Sequence, residues 1–340
     1  MLFREAAGLR SQIEVRADCF FGGTIGGFKN GHPYGLFSTP RIEILGGSPA
    51  CVCPAAQSEY DGNYGVCHAA SPQALSISGD AEIWPSGTGG TSTVQITAKV
   101  VTGNQPKLGV VVSFTVGVTA NSGGHDHNDA TRPRGSLSIA QGTTDVNGEV
   151  KVTFTASQIA GTHTISATCG NCINSPASKA IRVKVPDLVD IFTLPYQDAQ
   201  WAIPGVGQRA EHTDNHYLTV AAATRLLDIS RRFRQIWPTA PRLTLNDASL
   251  VWGGKFDIDG TWETNPRRHA EHRLGDNIDV RANTAPGAVP ANIRAAVFRW
   301  LRRTSLPADN IPPEFIIDSV NALWEGPGLV NEHFHLRLGN

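Results

Sequence analysis

The 340-residue chain carries 29 basic and 30 acidic side chains, 40% hydrophobic residues, 35 Gly, 21 Pro and 11 His. A formal net charge of -1 leaves no overall field to draw in nucleic acid or an anionic membrane surface, and the hydrophobic content is too high for wholesale disorder. No run approaches the ~20 apolar residues of a membrane span, and the length suits about two domains.

Residues 1–74 hold no sustained periodicity. Gly22, Gly23, Gly26, Gly27, Gly46 and Gly47 break the pattern repeatedly, so a loop-rich N-terminal region is expected. The opening MLFREAAGLRSQIEVRADCFF lacks the apolar core of a secretory signal, which fits either a cytosolic protein or a reading frame that begins downstream of its true start.

From Leu75 to Val185 the chain alternates short β-branched runs with Gly, Asn, Pro and Ser. Candidate strands are LSIS at Leu75, TVQITAKVV at Thr93, GVVVSFTVG at Gly109, SLSIA at Ser136, EVKVTFTA at Glu149, THTISATC at Thr162 and KAIRVKV at Lys179. Seven strands in about 110 residues is the immunoglobulin-like count. Asn147-Gly148 supplies a tight corner before the most regular of them. The pairing of TTDVNGEVKVTFTAS with AGTHTISATC resembles the bacterial immunoglobulin-like domains of invasin-type proteins, which implies a spacer or adhesion module over residues 75–186. Within it, His125, Asp126, His127 and Asp129 share one Gly-flanked loop, readable as a polar insertion or as metal ligands.

The six cysteines, Cys19, Cys51, Cys53, Cys67, Cys169 and Cys172, suit an oxidising compartment, so a periplasmic or extracellular location is expected. Cys169 and Cys172 lie at a strand end, where a short-loop disulfide is feasible. A four-thiolate zinc set with Cys51 and Cys53 is the alternative, across a spacing unlike the usual one.

Composition changes after Pro186. The first 186 residues hold 25 of the 35 Gly with 7 Arg and 6 Lys, whereas residues 187–340 hold 15 Arg and 1 Lys, so a linker over 187–210 and a separate module over 211–340 are expected. Apolar residues at Val220, Ala223, Leu226, Leu227, Phe233 and Ile236 predict a helix over Tyr217 to Trp237, stopped by Pro238. Ile293, Ala296, Val297, Trp300 and Leu301 predict a second helix, and Pro313 to Leu323 a third. RLTLND, KFDIDG, NIDVRA and HFHLRL read as short strands. Helices and short strands in this order give a small α+β domain around an antiparallel sheet.

Six of the 11 histidines follow residue 210: His212, His216, His269, His272, His333 and His335. On a strand, residues two apart share a face, so His333 and His335 point to one site. Upstream, HRLGDNIDV sets His272 seven residues before Asp279. A catalytic zinc takes three protein ligands from His and carboxylate, and His272, Asp279 and His335 can supply them.

The two motifs, about 55 residues apart, resemble those of the zinc peptidases that include D-alanyl-D-alanine carboxypeptidases, penicillin-insensitive murein endopeptidases, lysostaphin-type enzymes and the hedgehog signalling domain, with H-x(6)-D followed by H-x-H or E-x-x-H. NDASLVWGGKFDIDGTW and NPRRHAEHRLGDNIDV also look like that group's approach to the first ligand. The resemblance implies one zinc ion on His272, Asp279 and His335, with Glu332 or His333 as general base, acting on peptide or peptidoglycan amide bonds. It leaves His269, Arg273 and Lys255 as candidate substrate-binding residues, with Arg267 and Arg268 as further cations. Ala270 stands where the carboxypeptidases carry Ser, which points to an endopeptidase or another specificity. Trp252 and Trp262 line a cleft or fill core, and His212 and His216 precede a helix as capping or surface residues. The alternative is a non-catalytic adhesion or binding protein with a structural zinc, in which His333 is a fourth ligand. Oligomeric state has no signal in the sequence.

Overall fold

The computed structural model describes the backbone of 2–6, 10–14, 26–29, 32–36, 59–61 and 66–68, and in full residues 73–127, 130–194, 201–202, 212, 214–257, 262 and 271–339. These divide into two compact units, Met1–Gln73 and Ala74–Asn340. Most of the regular structure is β, with two α-helices of eight residues or more among the described residues.

The first unit contains three antiparallel pairs, Leu2–Ala6 with Arg10–Glu14, Gly26–Lys29 with His32–Leu36, and Glu59–Asp61 with Val66–His68. The glycines expected to leave this region loop-rich thus coexist with short strands, because a two-stranded ribbon needs only local backbone pairing and no periodic core face.

In the second unit, residues 74–185 form two facing sheets. One has the order Ser136–Leu137, Glu149–Thr155, Thr93–Thr102, Gln73–Ser78, Cys172–Ile173, with Gln105–Pro106 paired to Thr93–Thr102. The other has the order Gln141–Thr143, Val111–Val118, Gly161–Thr168, Ala177–Val183, Glu82–Ile83. Alternation places Val94, Ile96, Ala98 and Val100 on one face of their strand, packed with Val152, Phe154, Ile165 and Ile181 in a single core. The fold here is a β-sandwich, as the strand count predicted. Cys169 and Cys172 are joined by a disulfide.

The remainder of this unit is built around a three-stranded antiparallel sheet, Asn277–Arg281, His333–Arg337 and Asn321–Glu325, with His333–Arg337 in the centre. Helix Val220–Ile236 begins at Thr219, whose hydroxyl accepts from the Ala222 backbone N–H at 3.2 Å, and ends before Pro238. It lays Leu226, Ile229 and Phe233 on the same core as Val297, Trp300 and Leu301 of helix Arg294–Leu301 and Ile278, Val280, Phe334 and Leu336 of the sheet.

The helix expected over Pro313 to Leu323 is replaced by one 3-10 turn, Pro313–Phe315, and the strand Asn321–Glu325. Consecutive prolines remove two N–H donors at its start, and Ala322 reaches the core by pairing beside the central strand, with Ile317 and Val320 buried in the segment that leads to it. KFDIDG forms no strand over its described residues: Gly254 makes one bridge to Ile159 of the sandwich, and Lys255, Phe256 and Asp257 run on without regular structure.

That bridge belongs to a packed junction. The Val185 N–H donates to the Trp252 carbonyl at 2.9 Å, and the Lys255 N–H to the Gln158 carbonyl at 2.7 Å. Gly254 has φ 75°, and a Cβ there would lie 2.9 Å from the Gln158 carbonyl oxygen, so glycine permits the close approach.

Candidate metal centre

The sheet register does most of the work of assembling the site. Asp279 is directly opposite His335 across the antiparallel pair, and His333 lies two residues along the same face. The flanking Ile278, Val280, Phe334 and Leu336 point to the opposite face and are buried in the core, which holds the register, since a slip by one residue would invert every side chain. His272 arrives from a 3-10 turn, His272–Leu274, that ends at Gly275 with φ 73°. A Cβ on Gly275 would meet Leu188 Cδ2 at 2.4 Å, so this reversal between ligand and strand requires glycine.

The resulting cluster is compact. His335 Nδ1 is 2.8 Å from Asp279 Oδ1, His272 Nε2 is 3.5 Å from Asp279 Oδ2, and the two imidazole rings stand edge to face at 5.1 Å. His272, Asp279 and His335 are each at most 5% exposed, and one ligand atom from each falls within 4.8 Å of the others. Burial alone would raise the Asp279 carboxyl, but the adjoining His272, His335 and His333 outweigh it and hold the group well below the usual carboxylate range. Burial likewise opposes charge on His272, yet the Asp279 carboxylate prevails and raises it.

Two imidazoles and a carboxylate are a donor set suited to zinc. The outer partners fit as well: His335 Nε2 meets Glu271 Oε2 at 3.1 Å, the arrangement in which a metal-binding histidine gives its second ring N–H to a carboxylate. Arg337 grips that carboxylate in turn, with Nη2 2.6 Å from Oε1. Glu271 was absent from the sequence-derived candidates. Its signal was a carboxylate next to His272 together with an arginine two residues beyond His335.

The two candidate bases are placed differently. His333 Nδ1 lies 2.6 Å from the Asn331 carbonyl, which can only accept, so Nδ1 carries a proton and Nε2 is turned toward Asp279, 3.5 Å from its Oδ2. Glu325 Oε2 is 3.6 Å from the same nitrogen. Glu332 turns away: its carboxylate accepts from Arg294 Nη1 at 3.0 Å, Trp324 Nε1 at 2.8 Å and the Gly328 N–H at 3.1 Å, and the residue is 3% exposed. Residues 332 and 333 are neighbours on an extended chain, so they face opposite sides.

Two of the candidate substrate-binding residues, Lys255 and Arg273, have neighbours in the sandwich. Lys255 is buried at the junction with the sandwich, and the Arg273 guanidinium lies beside Gly87 of the sandwich. His269, Arg267, Arg268 and Ala270 fall outside the described residues. Trp252 is half-buried, and Trp262 is buried against His127, with ring centroids 4.0 Å apart. The expectation that His212 and His216 cap a helix or lie at the surface is overturned. Thr219 is the cap, His216 is buried 3.3 Å from Asp190, and His212 is fully buried against His125 and His127.

No family model and no curated protein matches the chain. Among solved structures, it is similar to the D0-D1 domain of intimin at 20% identity and TM-score 0.24, over 35% of this chain and 52% of that one. It is similar also to a C-terminal fragment of intimin in complex with the intimin-binding domain of its translocated receptor, at 20% identity and TM-score 0.22, over 34% of this chain and 37% of that one. The Yersinia pseudotuberculosis adhesin InvE follows at 15% identity and TM-score 0.27, over 35% and 34%. The chain therefore spans about half, or less, of the length of the structures it matches. Among the described residues, no helix is long and apolar enough to cross a membrane.

Proposed function

We propose that the C-terminal module is a zinc-dependent hydrolase of peptide amide bonds, with His272, Asp279 and His335 holding the ion and His333 acting as general base. The observation that carries this reading is the convergence of those three buried side chains with His333 Nε2 alongside. Zinc at such a site supplies Lewis acidity toward a peptide carbonyl and an attacking water. The protein's own part is the proton: His333, held by the Asn331 carbonyl through Nδ1, takes it at Nε2 and passes it to the leaving amine. Asp279 and Glu325 stand where they would face the imidazolium so formed. Glu271 and Arg337 orient His335. Glu332, tied to Arg294, Trp324 and Gly328, serves the strand that carries both histidines.

Peptidoglycan stem peptides are the substrate class that follows from the motif resemblance, and an extracytoplasmic location fits both that substrate and the Cys169–Cys172 disulfide. The test is release of new amino groups from cross-linked muropeptides by the zinc-loaded full chain. Loss of release in His272→Ala and His335→Ala supports the reading, and equal rates in all three proteins would refute it.

A second reading is a binding module in which the same site holds a structural ion. The near-complete burial of His272, Asp279 and His335 favours it, because His333 Nε2, 3.5 Å from Asp279, would then close the coordination as a fourth protein ligand.

A further inference from the structure

A second convergence of histidines lies at the junction between the sandwich and the C-terminal module, where His212 meets partners 45 to 87 residues away in sequence. His125 and His127 come from the loop after the sandwich strand Val111–Val118, whereas His212 and Asp257 come from the C-terminal side. Gly124, at φ 91°, brings the loop down so closely that a Cβ would lie 3.0 Å from Leu250 Cβ. Arg132 secures the base of the loop by donating to the carbonyls of Thr119, Ser122 and Ala160.

Four atoms meet there. His212 Nε2 is 3.2 Å from His125 Nδ1, 3.3 Å from His127 Nε2 and 3.0 Å from Asp257 Oδ1. The same carboxylate oxygen is 3.3 Å from His125 Nδ1 and 3.4 Å from His127 Nε2. A tetrahedral zinc with bonds of about 2.0–2.1 Å has ligand atoms roughly 3.3–3.4 Å apart along each edge. The five distances reproduce that figure closely. His125, His212 and the Asp257 side chain are fully buried, and the His127 side chain is 13% exposed.

Protons alone do not satisfy this arrangement. The other ring nitrogens, His125 Nε2, His127 Nδ1 and His212 Nδ1, are buried and meet no hydrogen-bond partner. If each inner nitrogen carries its proton, three donors crowd one carboxylate oxygen while three outer lone pairs stay unmet. If each outer nitrogen carries it, three lone pairs and a carboxylate face one another with nothing between. A cation at the centre satisfies the inward-facing lone pairs and the carboxylate of the second arrangement. Asp257 is prepared for it, since its Oδ2 accepts the Trp262 backbone N–H at 2.7 Å and leaves Oδ1 to the cluster.

We infer that His125, His127, His212 and Asp257 bind a divalent cation of the zinc class in a closed, four-ligand structural site that fastens the sandwich to the C-terminal module. Three imidazoles and one carboxylate leave no open position, the mark of a structural rather than a catalytic zinc site. The inference is independent of any activity at His272.

The experiment is zinc titration and metal analysis of the full chain after chelation. The wild type is expected to take up two zinc ions per chain. A His272→Ala, His335→Ala double variant should retain one, and its melting temperature should rise with zinc concentration. Adding Asp257→Asn to that background keeps the side-chain volume and should abolish the zinc-dependent rise, with His127→Gln as the parallel variant if Asp257→Asn does not fold. A double variant that binds no zinc, or an equal zinc-dependent rise in the Asp257→Asn and His127→Gln proteins, overturns the inference. Because the deciding readings are taken in the His272→Ala, His335→Ala background, failure of the hydrolase reading leaves this outcome unaffected.

Discussion

The His272, Asp279 and His335 cluster is assembled on one small sheet, where the Asp279 and His335 register sets two ligands at once, whereas His125, His127, His212 and Asp257 converge only where two modules meet. The first has carboxylates around it, Glu271 behind His335 and Glu325 beside His333, and His333 Nε2 turned toward Asp279. The second has His212 Nε2 and Asp257 Oδ1 each within 3.4 Å of both His125 Nδ1 and His127 Nε2. The contrast separates two uses of the same side chain. Under the hydrolytic reading the first keeps an acid–base group next to an incomplete ligand set, and under the structural-metal inference the second completes its set from both sides of an interface.

The largest effect that would sharpen this contrast falls on His333. Under the hydrolytic reading, His333→Ala leaves zinc content unchanged and lowers kcat by about 10²- to 10⁴-fold, the usual contribution of a general base. Unchanged kcat would move His333 out of the catalytic role. Glu332→Gln is the matched control, because it removes the partner of Arg294 without touching the ligands. Thermal unfolding should register a loss of about 1–3 kcal/mol as Arg294, with its side chain 14% exposed, loses its charged partner, while the pH–rate profile stays in place. A shifted profile would return Glu332 to the site.

Away from both clusters, His163 tests the sandwich by itself. Burial against Phe154 lowers it to about 4 from the ordinary 6.5, and it is fully inaccessible. Between those values the unfolded chain binds a proton that the native sandwich refuses. Stability is therefore full above about pH 6.5 and declines as pH falls toward 4, by about 3 kcal/mol in all. Denaturant melts of His163→Gln over that range should lose most of this dependence, and an unchanged slope would assign it to other groups. Smallest of the set, Thr219→Ala removes the cap of the helix Val220–Ile236 and should cost about 1 kcal/mol, with metal content at both clusters unaltered.

What could be read from the residues was whatever repeats at short range. Alternation in TVQITAKVV and EVKVTFTA, and the stripe through Leu226 and Phe233, are local consequences of burial with periods of 2 and 3.6. The His272, Asp279 and His335 set was legible because two of its members sit on strands with clear patterning and the third is seven residues away. Asp257 and His212 had no such signal. They stand 45 residues apart, and each gains meaning only when Gly123 and Gly124 let the His125 loop close on Leu250 and Val251. The Pro313 to Leu323 segment misled for the complementary reason: its apolar spacing satisfied a helix, and the free edge of the His333–Arg337 strand captured Asn321–Glu325 instead. Glu332 fitted a motif by spacing, but strand pleating and Arg294 drew it to the other face.

The most direct test of the account is anomalous scattering at the zinc edge from crystals of the zinc-loaded full chain. Two sites are expected, one among His125, His127, His212 and Asp257 with four protein ligands, and one on His272, Asp279 and His335 with a solvent-filled position within hydrogen-bond reach of His333 Nε2. An ion coordinated by His333 itself, with no solvent position at that centre, would contradict the hydrolytic role and leave a binding module held together by metal.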